Sequence, residues 1–279
     1  MINGVKIHLV YHLYCKNVQD MQVGGGGNVY NEINRRCLEH FHGIFDDAVF
    51  CVCLDDTGDS ELVQKAAEWI WSCGFKDNVT IKVKPNSPYR DAQTFYDEVV
   101  NHLSEFNGMV FFGHNKGNTM SEIDGLKQWI IFSYYACLDR MGEKVANLSD
   151  HAVVHTYIPL VEEGYIVFNE HHWLAPGTFF IFNPQKICSH IKINKITIPK
   201  LEDRYSAETF FPKLLDITDG KRYSFLTDVM FEHRVNTWLV GEPDFDYYWA
   251  NHVELLGEFL PSERVEEYKH FYETITEGL

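Results

Sequence analysis

Apolar positions along this chain follow distinct rhythms, and each predicts a different element. Met109-Val110-Phe111-Phe112 run without alternation and stop at Gly113, the pattern of a short central strand buried on both faces. Val5 to Tyr14 is β-branched and aromatic throughout and predicts the first strand. Val49 to Leu54 and Val79 to Val83 predict the second and third. Between them the period lengthens to that of a helix. Tyr30, Ile33, Cys37, Leu38 and Phe41 share one face of a helix over Tyr30 to His42. Ser60 offers a cap to a helix that runs to about Cys73 and stops at Gly74. Asp91 to Phe106 predicts another, and about Ser121 to Met141 the next. This repeated alternation of strand and helix predicts an α/β fold with parallel strands and right-handed crossovers. After Asn147 short aromatic segments appear at Val153 to Ile158, Tyr165 to Phe168 and Thr178 to Asn183, so the sheet should become mixed and its far edge antiparallel. Arg204 to Leu215 predicts a helix. Trp249 to Thr276 is charged and helical, with Pro261-Ser262-Glu263 opening the last helix. We expect two closely fused halves, residues 1–150 and 151–279, in a single domain with a helical C-terminal part.

Composition narrows the picture. Of 279 residues 45% are hydrophobic and 15% aromatic, so the chain can bury a large core. The formal net charge of −16 argues against a nucleic-acid partner or a generally basic membrane-binding surface, and leaves room for one local basic pocket. Seven cysteines, an odd number set mostly in apolar segments, read as buried thiols in a reducing compartment. Cys51 and Cys53 face one side of a strand, but no second pair matches them as metal ligands. No secretory signal and no apolar run of membrane length is visible, so we expect a cytoplasmic protein, in the host cytoplasm if the source is a virus. Gly24 to Gly27 form a flexible turn; no Gly-Lys-Ser/Thr follows to make a phosphate loop.

Candidate chemistry gathers where strands end. Tyr11-His12-Leu13-Tyr14 closes strand one and Asp55-Asp56 closes strand two. Tyr89-Arg90-Asp91-Ala92-Gln93-Thr94-Phe95 opens a helix, and His114-Asn115-Lys116-Gly117 follows the central strand. In open α/β sheets ligands lie outside the carboxyl ends of the strands. Aromatic faces there can stack on a base, and Arg90 and Lys116 can meet phosphate oxygens. A helix amino end after Gly117 would add to the anion site. These residues describe a pocket for a nucleoside diphosphate. Each has a plainer reading: Tyr11 and His12 as core, Asp91 as a helix cap, Arg90 as a partner for a nearby carboxylate, Lys116 as a solvated loop residue. His171-His172 would point to opposite faces of a strand, which disfavours a metal pair.

Four motifs in order, Tyr-Arg-Asp-Ala-Gln-Thr-Phe at 89–95, Phe-Phe-Gly-His-Asn-Lys-Gly at 111–117, Trp-Leu-Ala-Pro-Gly-Thr-Phe-Phe at 173–180 and Asp-Arg-Tyr-Ser-Ala-Glu-Thr-Phe at 203–210, resemble a group of glycosyltransferase-like proteins. That group occurs near capsule, O-antigen and surface-glycan genes of bacteria and in some large viruses. The resemblance spans about residues 5 to 215. It implies a GT-A-like (Rossmann-like) fold with a nucleotide-sugar half and an acceptor half. It also implies transfer of a sugar from a nucleotide-sugar donor, UDP-linked by expectation, to a glycan acceptor in surface polysaccharide or capsid glycan synthesis. The implied donor set is Tyr11, His12, Arg90, Asp91, Thr94, His114, Asn115 and Lys116. GT-A enzymes usually carry Asp-x-Asp where the central strand ends. Here that place reads His114-Asn115-Lys116, so the expectation leans to a metal-independent reaction, with Asp55 and Asp56 as the alternative ligands for Mg²⁺ or Mn²⁺. Inverting transfer needs a carboxylate base, and Glu208 is the candidate, with Asp203 second. Two other readings stay open: a nucleotide- or sugar-binding protein without turnover, and a metal-dependent hydrolase.

Overall fold

A computed structural model describes residues 1–24, 27–115, 117, 125–147, 153–155, 179–215, 223–224, 252–257 and 260–279. The strands are β1 (Lys6–Cys15), β2 (Asp47–Leu54), β3 (Val79–Pro85), β4 (Gly108–His114), β5 (Val153–His155), β6 (Phe180–Phe182) and β7 (Tyr223–Ser224). They form one seven-stranded sheet in the order β3-β2-β1-β4-β6-β5-β7. β1 pairs in parallel with both β2 and β4, and β2 with β3. β6 runs against β4 and β5, while β5 and β7 are parallel. The sheet is therefore mixed but mostly parallel, with β6 as the reversed strand. It is flanked by helices on both faces and followed by C-terminal helices, the mixed, mostly parallel α/β class expected from the sequence.

The helices are α1 (Val29–Phe41), α2 (Ser60–Ser72), α3 (Asp91–Glu98), α4 (Leu126–Leu138), α5 (Met141–Asn147), α6 (Pro184–Asn194), α7 (Phe210–Leu215), α8 (His252–Leu256) and α9 (Ser262–Thr276). Two apolar layers sandwich the sheet. One joins Ile7, Leu9, Tyr11 and Leu13 of β1 to α1, α2, α4 and α9. The other joins Val10, Val110 and Phe112 to α3, α6 and α7, with Phe95 meeting five phenylalanine rings at 5.1–6.5 Å. Because both faces are buried, the central strands read as continuous apolar runs. The edge strand β3 exposes alternate positions, and its Lys82 and Lys84 bond Glu98 of α3 at 2.5 and 2.6 Å. Charges on an edge strand discourage pairing with another chain, and here they also fasten α3 to the sheet.

Several local expectations shift. Asp59, not Ser60, caps α2 by accepting the Leu62 N–H, so the capping carboxylate lies one residue earlier. The helix predicted over Asp91 to Phe106 ends at Glu98 and passes into a 3₁₀ turn, Val100–His102; two β-branched valines at 99–100 weaken helical continuation there. The helix predicted over about Ser121 to Met141 ends at Leu138 as α4, and an unpredicted helix, α5, begins at Met141, with Arg140, φ 46°, between them. α7 begins at Phe210, the preceding residues forming turns. The strand predicted at Tyr165 to Phe168 lies outside the described residues. No described helix is long and apolar enough to cross a membrane.

Candidate functional site

The order β2-β1-β4 makes the crevice between β1 and β4 a topological switch point. The chain leaves β1 in one lateral direction, towards β2 and β3, and returns on β1's other side with β4. Ligand crevices in open α/β sheets lie at such points, outside the carboxyl ends. His12 on β1 and His114 on β4 are register partners at that end.

His12 is 3% exposed. Its Nδ1 lies 2.9 Å from Thr94 Oγ1 of α3 and 3.5 Å from Cys53 Sγ of β2. Burial pushes this imidazole down to about 4; the Asp91 charge works against that and the Arg90 charge with it. His12 is thus neutral at pH 7. Burial pushes the Cys53 thiol up to about 11, against the hydrogen bond to Thr94, which lowers it, so it stays protonated. Two residues along β1, Tyr14 donates its hydroxyl to Asp55 Oδ2 at 2.9 Å, and Asn86 Nδ2 donates to Asp55 Oδ1 at 2.9 Å. Burial and the Asp55 carboxylate push the Tyr14 phenol up to about 12, so it too is neutral.

Against these neutral groups stands an exposed cation. Arg90 has φ 50° and ψ −129°, and the turn around it is closed by the Ala92 N–H bonding Tyr89 C=O at 3.1 Å. That conformation belongs to the first central position of a type II′ turn, where glycine is the usual residue. Holding a side chain there costs on the order of 1–3 kcal/mol. Among the described residues the Arg90 guanidinium makes no hydrogen bond or ion pair, yet its charge is felt by both His12 and Tyr14.

His12, Arg90, Asp91, Thr94 and Asp55 are therefore brought to one rim. Tyr11 is not, which corrects the expectation of donor contact. It points to the opposite face of the sheet, is 0% exposed, and its hydroxyl lies 2.7 Å from that of Tyr134 and 3.3 Å from Asn34 Oδ1. Alternation along the strand sends neighbours to opposite faces, so Tyr11 and His12 could not both serve the rim. Asn115 is also corrected, from a ligand contact to a clamp. Its Oδ1 accepts the Tyr14 N–H at 2.9 Å, and its Nδ2 donates to Tyr14 C=O at 2.7 Å and to Asn31 Oδ1 at 3.0 Å. The side-chain amide extends the β1–β4 ladder past the end of β4. Gly117 follows with φ +89°, where a Cβ would come within 2.7 Å of the Tyr30 ring, so only glycine lets this loop lie on α1. Thr94 is buried and serves His12. His114 is half-buried, its ring 5.4 Å from that of Phe179. Lys116, His171 and His172 lie outside the described residues.

Asp55 and Asp56, the alternative metal ligands, have separate hydrogen-bond partners. Asp55 faces Tyr14 and Asn86, while Asp56 Oδ1 turns back to accept the Gly58 N–H at 2.8 Å. Among the described residues no three His, Cys, Asp or Glu side chains group around a common point. Asp203 is exposed and uses its Oδ1 on the Tyr205 N–H and the Ser206 hydroxyl, which corrects its candidacy as base towards that of a turn-former. Glu208 is half-buried on the turn that leads into α7. This segment is moored to α3, since the Tyr96 hydroxyl donates to Lys200 C=O at 3.1 Å. Sequence reasoning placed Tyr14 in the strand-end cluster but left it out of the donor set, weighed Cys53 only as a metal ligand, and gave Asn86 no role. The signal for Tyr14 was present: it shares a strand face with His12 at the period of two.

No protein-family model matches the chain, and no curated protein sequence matches it. Among solved structures the chain is similar to 4-diphosphocytidyl-2C-methyl-D-erythritol synthase from Anaerococcus prevotii DSM 20548, at 12% identity and a TM-score of 0.42, over 90% of this chain and 97% of that one. It is also similar to the galactosyltransferase LgtC in complex with donor and acceptor sugar analogs, at 14% identity and a TM-score of 0.39, over 91% and 98%. Likeness this distant does not bear on activity.

Proposed function

We propose that this chain is a glycosyltransferase that takes a hexosyl or pentosyl group from a nucleotide-sugar donor, UDP-linked, and passes it with inversion to a glycan acceptor of a surface polysaccharide or capsid glycan. The observation that carries the reading is Arg90: a cation with no partner among the described residues, held on a strained turn beside the neutral His12 and Tyr14 at the β1/β4 switch point. A guanidinium in that setting suits the two phosphates of a departing nucleoside diphosphate. His12 and Tyr14 add hydrogen bonds without adding negative charge. Donor contacts are assigned to His12, Arg90, Asp91 and His114, with Thr94 and Asn115 behind them and Lys116 completing the set outside the described residues. Residues 1–150 hold the donor and residues 151–279 the acceptor.

In the transfer step the acceptor oxygen attacks the anomeric carbon while the bond from that carbon to the diphosphate oxygen breaks. The electron pair leaves with the diphosphate, whose charge Arg90 offsets. The acceptor proton passes to a carboxylate base. Glu208 is favoured over Asp203 because it is half-buried where Asp203 is exposed. This reading assigns the charge of the leaving diphosphate to Arg90 and Lys116 and uses no divalent ion.

The test is a thermal-shift panel of nucleotide sugars with and without Mn²⁺, followed by transfer assays. A bound donor at about 100 times its Kd adds roughly 2.7 kcal/mol, which is a shift of several degrees. Arg90→Ala should weaken the donor by about 10- to 100-fold, the worth of a charge-assisted hydrogen bond. Glu208→Gln should keep donor affinity and lose transfer, and a chelator should leave transfer intact. A panel in which no nucleotide sugar raises the Tm would end the proposal.

A further inference from the structure

The chain is strongly acidic, yet residues 171–201 contain no Asp or Glu. The described part of that stretch holds α6 and the connection that follows it. Ile187 is fully buried, and Cys188 and Ile191 pack against the same core, so one face of α6 is spent on the fold. The outward side is different. Lys186 and Ile193 are seven residues apart and share a stripe. Lys195 ends the helix in a left-handed conformation, φ 54°, and beyond it Ile198 and Lys200 are again exposed. Ile193 is 77% exposed, the most exposed large hydrophobic residue described, and Ile198 is 41% exposed.

The four lysines here, 186, 192, 195 and 200, form no ion pair among the described residues. Elsewhere on the molecule lysines meet carboxylates: Lys65 with Glu68, Lys82 and Lys84 with Glu98, Lys213 with Glu202. Lysines near a helix carboxyl end also offset its dipole. That accounts for Lys192 and Lys195, but for neither Lys200 nor the two bare isoleucines.

We propose that this patch docks the protein onto an anionic lipid bilayer, with Ile193 and Ile198 entering the headgroup region and the lysines resting on lipid phosphates. Its chemistry selects a membrane over a protein partner. Protein interfaces are enriched in aromatic residues and Arg and depleted in Lys. This patch sets four Lys and no Arg beside two bare isoleucines, the basic and aliphatic groups that an interfacial membrane contact combines. The acidic remainder of the chain is repelled by an anionic surface, so binding is confined to this side and fixes the orientation of the molecule. The patch lies on the α3 and α6 side of the sheet, and its last residue, Lys200, bonds the helix whose first turn carries Asp91. An acceptor anchored in the same bilayer would be presented to that side. The docking itself does not rest on the transferase reading, because it is measured without donor or acceptor.

The test is co-sedimentation of the full chain with phosphatidylcholine vesicles, with and without about a third phosphatidylglycerol, at low and high salt. The expected result is binding to the mixed vesicles only, lost at high salt. Lys192→Glu with Lys195→Glu should lower the partition coefficient by at least about 25-fold, at about fivefold per lysine removed. Ile193→Ser should lower it several-fold at constant charge. All three positions are exposed, and an unchanged Tm verifies that each variant is folded. Absence of binding to mixed vesicles at low salt, or binding that the variants leave unaltered, overturns the proposal. So does light scattering that shows a dimer abolished by the same variants without vesicle binding, which would assign the patch to the acidic surface of a second copy.

Discussion

At the scale of single residues, Arg90 separates stability from binding. Its φ of 50° and ψ of −129° favour glycine, which has no Cβ to clash there. Arg90→Gly should therefore relieve strain, offset in part by the greater freedom glycine gives the unfolded chain. We expect equilibrium unfolding in urea to show the variant within about 1 kcal/mol of the parent or above it, while its donor affinity falls as for Arg90→Ala. Loss of stability comparable to a core mutation would mean the arginine is structural. Tyr134 is the opposite case. Its hydroxyl donates to Asn34 Oδ1 at 2.9 Å in full burial, with Tyr11 alongside. Tyr134→Phe leaves that cluster short of a donor and should cost about 1–2 kcal/mol in the same assay with no change in donor binding.

At the scale of elements, the question is what keeps the β1/β4 crevice in shape, and Asn115 answers for its upper end. The side chain pairs both backbone groups of Tyr14 and reaches α1 through Asn31, which in turn donates to Asp20 C=O at 2.9 Å. Asn115→Ala leaves buried polar groups unpaired on two elements, and about 2–4 kcal/mol of stability should go with it. Amide exchange at Tyr14 should quicken by more than at residues of β2; uniform exchange would show that the clamp has no local role. β1 to β6 and most helices were readable from periodicity, because a sheet buried on both faces leaves unbroken apolar runs between helical stretches, whereas the two-residue β7 is too short to show a pattern. That same burial hid which side chains share a face, and so Tyr11 was grouped with His12. α6 went unread although Asn183-Pro184 is a strong helix start: Asn183 accepts the Lys186 N–H and Pro184 occupies the first turn. Its isoleucines continue past the helix end at Ile196 and Ile198, which blurs the period. The rim's polar partners, Thr94 to His12 and Asn86 to Asp55, join segments far apart in sequence and have no local signal.

At the scale of the whole molecule, the rim chemistry should be visible in how stability depends on pH. His12 titrates at about 4 in the folded protein against an ordinary 6.5, so the unfolded chain binds the extra proton first. The contribution is fully present above about 6.5 and is lost as pH falls towards about 4, because protonation then favours the unfolded state. With each unit worth about 1.36 kcal/mol, about 2 kcal/mol should be gone by about pH 5. Carboxylates act at lower pH in the same direction. Burial pushes Glu98 up, but its bonds to Lys82 and Lys84 more than reverse this and hold it below the usual range. Glu32 is held down in the same way by Arg35 and Arg36. Their stabilisation is present above the ordinary carboxylate range and fails as pH drops through it. The two sources can be told apart by their windows. Urea unfolding of the parent should weaken between about pH 6.5 and about pH 5, before the carboxylates titrate. His12→Gln, which can still bond Thr94, should remove most of the loss in that segment, the remainder coming from His40, which burial also pushes down, and leave the steeper loss below about pH 4.5 in place. If the variant tracks the parent across the upper window, His12 is not the buried neutral base at the mouth of the crevice, and the neutral imidazole assigned beside Arg90 loses its support.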